Sequence, residues 1–242
     1  MYSPLEQFRN QTLIKIYNDY LDISINKTTI YIIISILIII ILFNIESNKI
    51  INNNYKRIIE IIYLEWSKQI KEIIGNEGKK YVIFIQSLFW FILINNLIGQ
   101  VPYSYSITSQ IIITFTMSIT IILGVTFTGI LKHNFNFIKL FIPSGIPTYL
   151  IPLLFIIELI SYIFRIVSLA VRLTGNIVAG HTTIKIISNL GIKMTHLSNL
   201  LLIIPILFIF LLMGLEIGVA IIQSYVFSIL TTSYIKDAEH LH

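Results

Sequence analysis

Residues 200–234 read LLLIIPILFIFLLMGLEIGVAIIQSYVFSILTTSY, an apolar stretch interrupted by one acid, Glu216, and one carboxamide, Gln223. As a single helix rising about 1.5 Å per residue it would reach on the order of 50 Å, against a bilayer hydrocarbon core of roughly 30 Å. Residues 148–187, TYLIPLLFIIELISYIFRIVSLAVRLTGNIVAGHTTIKII, pose the same problem of length. Each stretch either breaks into two membrane spans or crosses at a steep incline. Gly175, Gly180, Pro205 and Gly214 offer breaks, yet the polar loop that a re-entering chain requires is absent. The pattern favours two long, inclined helices over 148–234, joined near Gly191 to Ser198, at a tilt beyond the usual range of up to about 40°.

Working outward, the rest of the chain has the same character. Of 242 residues, 55% are hydrophobic and 12% charged, where soluble domains carry roughly a quarter charged; mean hydropathy is +0.83. The apolar runs are continuous, so membrane helices are expected and not a barrel. With no cysteine, disulfides, thiolate metal sites and cysteine nucleophiles are excluded. The net charge of +5 does not point to nucleic acid, because the basic residues cluster between apolar runs, where they record membrane orientation.

Residues 1–27 are polar, carry both signs of charge and show no cleavable signal peptide. Residues 28–45 form a first span, long enough once its flanks are counted at the interfaces. Over 55–75, Ile58, Ile62, Trp66, Ile70 and Ile73 recur at helical spacing opposite Arg57, Glu60, Lys68, Lys71 and Glu72, the pattern of an amphipathic helix on a membrane surface. Residues 81–131 read as a transmembrane hairpin, with spans from Tyr81 to about Ile98 and from Ile107 to Leu131 and an uncharged turn around Gly99, Pro102 and Tyr103. Seven Lys and Arg lie between Lys49 and Lys80, Lys132 and Lys139 follow the hairpin, and none lies in its turn. That asymmetry puts the basic loops on the side of synthesis and the amino terminus opposite. The expectation is one all-α membrane domain over 1–242.

Charges inside spans are costly and mark function. Glu158, Arg165 and Arg172 are spaced seven apart, which drifts only about 20° per step on a helix and keeps them near one face. Asn176 joins that face; His181, nine residues after Arg172, lies about half a turn round and addresses a different surface. Glu216 and Gln223 share a stripe with Val219 and Ala220, and Gly214 and Gly218 flank Glu216 in a spacing that permits close helix approach. A guanidinium stays charged, so Arg172 cannot carry a proton, whereas imidazole and carboxyl groups can relay one. A fixed cation between titratable groups describes a proton route with a barrier in it. Structural ion pairs are the alternative: Arg172 with Glu158 or Glu216, or His181 with Glu216. Arg165 and Lys185 can also snorkel to an interface.

The segment RLTGNIVAGH at 172–181, the preceding IELISYIFRIVSLAV, the later LEIGVAIIQSYVF and the block NNLIGQVPYSYSITSQ at 95–110 resemble subunit a of the F-type ATP synthase in its mitochondrial form. The resemblance covers roughly residues 80–242; residues 1–80 match in layout only. It implies a non-catalytic stator subunit whose inclined helices wrap a ring of c subunits, each carrying a mid-span carboxylate. The position of Arg172 then faces the ring and separates two aqueous half-channels. His181 and Glu216 line the inlet, Asn176 and Gln223 lie near the arginine, and Glu158 belongs to the exit side, with Asp237 in the closing YIKDAEHLH a possible contributor and Arg165 a support. Pairing His181 with Glu216 resembles a mitochondrial exchange of the acid and histidine common in bacterial relatives. Ile166 departs from relatives that carry proline there, which puts only local backbone shape in question. Further partners implied are peripheral-stalk and other membrane subunits and lipid. The location implied is the mitochondrial inner membrane, amino terminus toward the intermembrane space, a setting that the Ile and Asn richness of an AT-rich organellar gene fits. No cofactor or metal is expected, and no phosphate-binding glycine loop is present. Two other classes fit less well. A secondary transporter would show internal repeats, and a haem carrier would need spaced histidines in the spans, whereas His133 reads as a loop residue.

Overall fold

The structure is a computed structural model that describes residues 7–15, 17–18, 21–22, 24–43, 54–101, 104–134, 137, 141, 148–195 and 203–239. The hairpin turn at Pro102 and Tyr103, the loop from Asn44 to Asn53 with Lys49, and the end of the junction near Ser198 lie outside these residues. Short antiparallel pairs occupy the polar amino-terminal segment, β1 (Thr12–Ile14) with β4 (Ile25–Asn26) and β2 (Tyr17–Asn18) with β3 (Leu21–Asp22). Among the described residues six α-helices follow: α1 (Lys27–Phe43), α2 (Asn54–Ile74), α3 (Val82–Gln100), α4 (Ile111–His133), α5 (Ile151–Thr195) and α6 (Ile203–Glu239). Four helical segments among these residues are long and apolar enough to cross a membrane, and α1 is a shorter apolar helix.

Both anomalous stretches are single helices. α5 has 45 residues and α6 has 37, so at about 1.5 Å per residue they are roughly 68 and 56 Å long. None of the candidate breaks interrupts them. Pro152 and Pro205 fall in first turns, where the missing N–H removes no helical bond, and the interior glycines stay helical because no polar loop follows them. A helix that long fits a core of roughly 30 Å only by inclining steeply or by leaving it.

The chain groups into two compact units, and α3, α4, α5 and α6 each contribute one part to each. The first contains residues 1–44, 91–113 and 172–224. Its buried residues include Asn95 and Asn96 from α3, Leu173 and Ile177 from α5, and Glu216, Ala220 and Gln223 from α6. The second contains residues 45–90, 114–171 and 225–242. Its apolar core joins Trp66, Ile70 and Ile74 of α2 to Val82 and Ile85 of α3, Val125 of α4, and Ile235 and Ala238 of α6. The amphipathic stripe of α2 is therefore largely spent on protein: Trp66 and Ile70 pack inward with Ile74 beside them, Ile62 and Ile73 pack against that core, and Ile58 remains exposed, as do Ile61 and Leu64 outside the stripe. The helix stops at Gly75, whose φ of 88° suits glycine and whose N–H donates to the Lys71 carbonyl at 2.9 Å.

Several boundaries differ from the sequence reading. α3 runs on through Gln100 beside the turn, α4 begins at Ile111 instead of Ile107 and ends on His133, read as a loop residue, α5 continues through Gly191, read as the start of the junction, to Thr195, and α6 continues past Tyr234 to Glu239. These differences follow from hydropathy marking the apolar length of a span and not its first or last hydrogen-bonded turn.

Candidate functional site

Within the first unit α5, α6 and α3 bring polar side chains together in an apolar setting. His181 Nε2 lies 3.8 Å from Glu216 Oε1. That is contact, but longer than a hydrogen bond of roughly 2.7–3.2 Å. Both atoms are buried without a hydrogen-bond partner, a costly state for a polar group unless it serves a purpose. Phe8 sets the edge of its ring against His181, with centroids 6.1 Å apart, and is itself fixed by Gln110 Nε2 donating to its carbonyl at 2.6 Å.

Asn176 Nδ2 donates to Gln223 Oε1 at 3.1 Å. Asn176 and His181 thus both engage α6, His181 on the surface half a turn round from the Arg172 face as its spacing predicts. Between them a Cβ at Gly180 would collide with the Glu216 carboxyl group, so the bare glycine leaves room for that group. Among the described residues nothing lies within 4 Å of where a Cβ at Gly214 or Gly218 would stand, so the close approach their spacing permits is not used there.

Two cavities meet at Glu216. The larger, about 670 Å³, is lined by His181, Glu216, Gln100, Tyr105, Lys27 and Lys185 among others. The smaller, about 250 Å³, is lined by Glu216, Gly180, Asn176 and Thr183 with apolar neighbours. Glu216 is only 7% exposed, yet its carboxyl group borders both spaces. Tyr105 lies outside the spans, and burial pushes its phenol up, so it stays protonated through the neutral range. Arg172 lies one turn before Asn176 on α5 and is exposed on the isolated chain.

Gln100 was missed by sequence reasoning. Its Nε2 donates to the Glu216 backbone carbonyl at 2.8 Å, and its Oε1 is buried without a partner. One turn earlier Asn96 reaches the Ala220 carbonyl at 3.5 Å. Two carboxamides four apart on α3 thereby address two carbonyls four apart on α6. The signal was a polar amide beside a span, masked by its place next to a turn.

The second unit gathers a different set. Arg165 Nη1 lies 3.2 Å from Asp237 Oδ2 and its Nη2 lies 3.6 Å from Glu158 Oε1. Its guanidinium also sits over the rings of Tyr162 and Tyr234 at 5.5 and 5.1 Å. Arg165 therefore joins both candidate exit acids. Glu239, which the sequence reading did not single out, accepts from Lys80 at 3.2 Å and also from Tyr81 and Lys132. His133 Nε2 lies 3.2 Å from the Glu239 carbonyl oxygen, and the cluster ties the end of α6 to the ends of α3 and α4. Among the described residues no group of three or more His, Cys, Asp or Glu is placed to hold a metal ion.

The profile of the ATP synthase A chain family matches residues 28–236. The chain belongs to this family. Its relatives include ATP synthase subunit a of Trichophyton rubrum, 45% identical over 248 residues that cover 99% of this chain and 97% of the relative. The subunit a of Zancudomyces culisetae is 40% identical over the whole of both chains. That of Pelagibacter ubique is 42% identical over 92% of this chain and 91% of its own length. As a family member the chain is a multi-pass membrane subunit of an ATP synthase.

Proposed function

We propose that the chain is the proton-translocating stator subunit of the membrane sector, offering two half-channels to a ring of c subunits with Arg172 as the barrier between them. The observation that carries this reading is Glu216, a buried carboxyl group beside His181 that borders both cavities. A proton enters the larger cavity, is held in turn by the His181 imidazole and the Glu216 carboxyl group, and passes to the Asn176 side. There it neutralises a carboxylate on a c subunit, which carries it round in the lipid-facing ring. It leaves past Glu158 and Asp237, whose charges Arg165 holds in place. Each transfer moves one proton between bases, so no bond other than those to hydrogen changes and the chain performs no catalysis on nucleotide. The electrical driving force is about 2.3 kcal/mol per charge per 100 mV.

Long apolar faces on α5 and α6, with Ile156, Ile160, Ile163, Phe210, Leu211 and Ile221 exposed, suit contact with ring helices and lipid. Fungal relatives support a mitochondrial inner-membrane location, with peripheral-stalk and other membrane subunits as further partners and residues 1–242 acting as one membrane domain. Purified from its membrane, the chain is expected to co-isolate with a small proteolipid ring bearing a mid-span carboxylate. Isolation as a stable lone transporter that moves a solute would overturn the assignment.

Orientation is tested separately. The Lys and Arg asymmetry puts Lys49 to Lys80 in the matrix and the Pro102 turn in the intermembrane space. Because the chain has no native cysteine, single cysteines at Asn76 and Ser104 report cleanly. An impermeant thiol reagent is expected to label them from opposite sides, and labelling of both from one side refutes this topology.

A further inference from the structure

The larger cavity carries a feature that proton relay alone does not require. Lys27, the first residue of α1, and Lys185, one turn beyond His181 on α5, both line it. Neither ammonium group makes an ion pair among the described residues. Among the described residues the titratable ones in the lining are Glu216 from α6, His181 and Lys185 from α5, Lys27 from α1, and Tyr105 from the segment after α3, to which α3 adds the uncharged Gln100. Among these residues the lining thus carries one carboxylic acid and two lysines.

We propose that Lys27 and Lys185 form a positive collar that makes this cavity selective for protons over metal cations and sets the pH at which it loads. The proposal rests on the reading of this cavity as the proton inlet. In a cleft with low-dielectric walls the field of the two ammonium groups is focused, and it lowers the local concentration of every cation. A proton overcomes that deficit because it binds covalently to imidazole or carboxylate. A hard metal cation needs several oxygen ligands at once; Glu216, Gln100, Ser104 and Ser188 all bring oxygens to the lining, so it is the charge of the collar, and not a lack of ligands, that keeps such a cation out. The same field weakens proton uptake, so the collar exchanges some affinity for selectivity.

The test uses the chain assembled with its ring in vesicles under an imposed gradient, with Lys27→Gln, Lys185→Gln and the double variant. A unit charge about 10 Å from a carboxylate at an effective dielectric near 20 changes proton affinity by on the order of tenfold. The double variant, which removes two such charges, is therefore expected to reach half-maximal proton flux at a pH higher by about two units in ~0.01 M salt, with a smaller shift at ~0.15 M, where the screening length falls from about 30 to 8 Å. Sodium chloride at equal ionic strength to choline chloride slows flux in the double variant and not in the parent. Lys71→Gln removes the same charge from α2 and leaves the midpoint in place. Should the double variant fail to assemble, Lys27→Gln alone is expected to give on the order of a tenfold change in affinity at low salt. An unmoved midpoint at low salt, with no sodium sensitivity, overturns the collar. Glu216→Leu in the same vesicles separates the two ideas: if it blocks flux while the lysine variants change nothing, the inlet stands and the collar falls. If it passes protons normally, both fall.

Discussion

Arg172→Ala is expected to abolish proton-driven ATP synthesis and to raise passive proton leak through the assembled complex. A guanidinium cannot shed its proton under any condition the membrane offers, so on the proposed route Arg172 would present a permanent cation to each carboxylate the ring brings past. That cation would favour the ionised form and oblige the carboxylate to release its proton before crossing to the other half-channel. Alanine removes the obligation. A protonated carboxyl group can then pass directly, protons flow without net rotation, and the stored gradient is dissipated. Arg172→Lys is expected to rescue only in part, because an ammonium can neutralise in a low-dielectric site and is a compact, strongly hydrated charge instead of a planar fork. Synthesis and leak are measured in reconstituted vesicles under an imposed gradient. Near-parental coupled synthesis in the alanine variant removes Arg172 from this role.

The lengths of α5 and α6 were legible in the sequence because nothing polar enough to re-enter water interrupts either run, and Pro205 could be placed without cost only at a helix start. The grouping of Arg165 with Glu158 was equally legible, since seven residues return to nearly the same face. Asp237 entered that group only through the resemblance, because it lies on another helix and only packing brings it to the guanidinium at 3.2 Å. His181 is instructive. Helical geometry puts it on a different surface from Arg172 and Asn176, and it lines the larger cavity while Asn176 lines the smaller; what spacing did not show is that both meet α6. The tip of Glu216 fits between them, where a Cβ at Gly180 would stand. The glycines that looked suited to close approach, Gly214 and Gly218, were chosen on spacing alone, and spacing does not say which face meets a neighbour. Gln100 and Glu239 escaped for a related reason. Each sits at a helix end, where polar residues are ordinary, and each is made significant by partners more than a hundred residues away.

Glu216→Leu is expected to slow proton uptake strongly without making the membrane leaky. The leucine keeps the volume at a position 7% exposed but removes the carboxylic acid that, among the described residues, lines both cavities. A positioned proton-transfer group contributes on the order of 10²-fold or more in rate, so a fall of about that size is expected, while on the proposed route Arg172 would still block direct leak. Because His181 and Glu216 stand 3.8 Å apart on two helices, their titrations belong to the pair and not to either residue. The exchanged variant, His181→Glu with Glu216→His, is therefore expected to recover more flux than either single change, since one acid and one imidazole remain at the same two places. A purely structural pair also predicts recovery on exchange. Two measurements divide the cases: assembly, by co-purification with the ring, and proton flux per assembled complex across about pH 6 to 8, the range in which imidazole changes charge. For a relay, Glu216→Leu assembles normally and is slow at every pH in that range, and the exchanged variant restores flux with a displaced pH profile. For a structural pair, Glu216→Leu loses assembly, and whatever complex remains conducts at the parental rate with the parental profile. Normal assembly together with parental flux removes Glu216 from the route altogether.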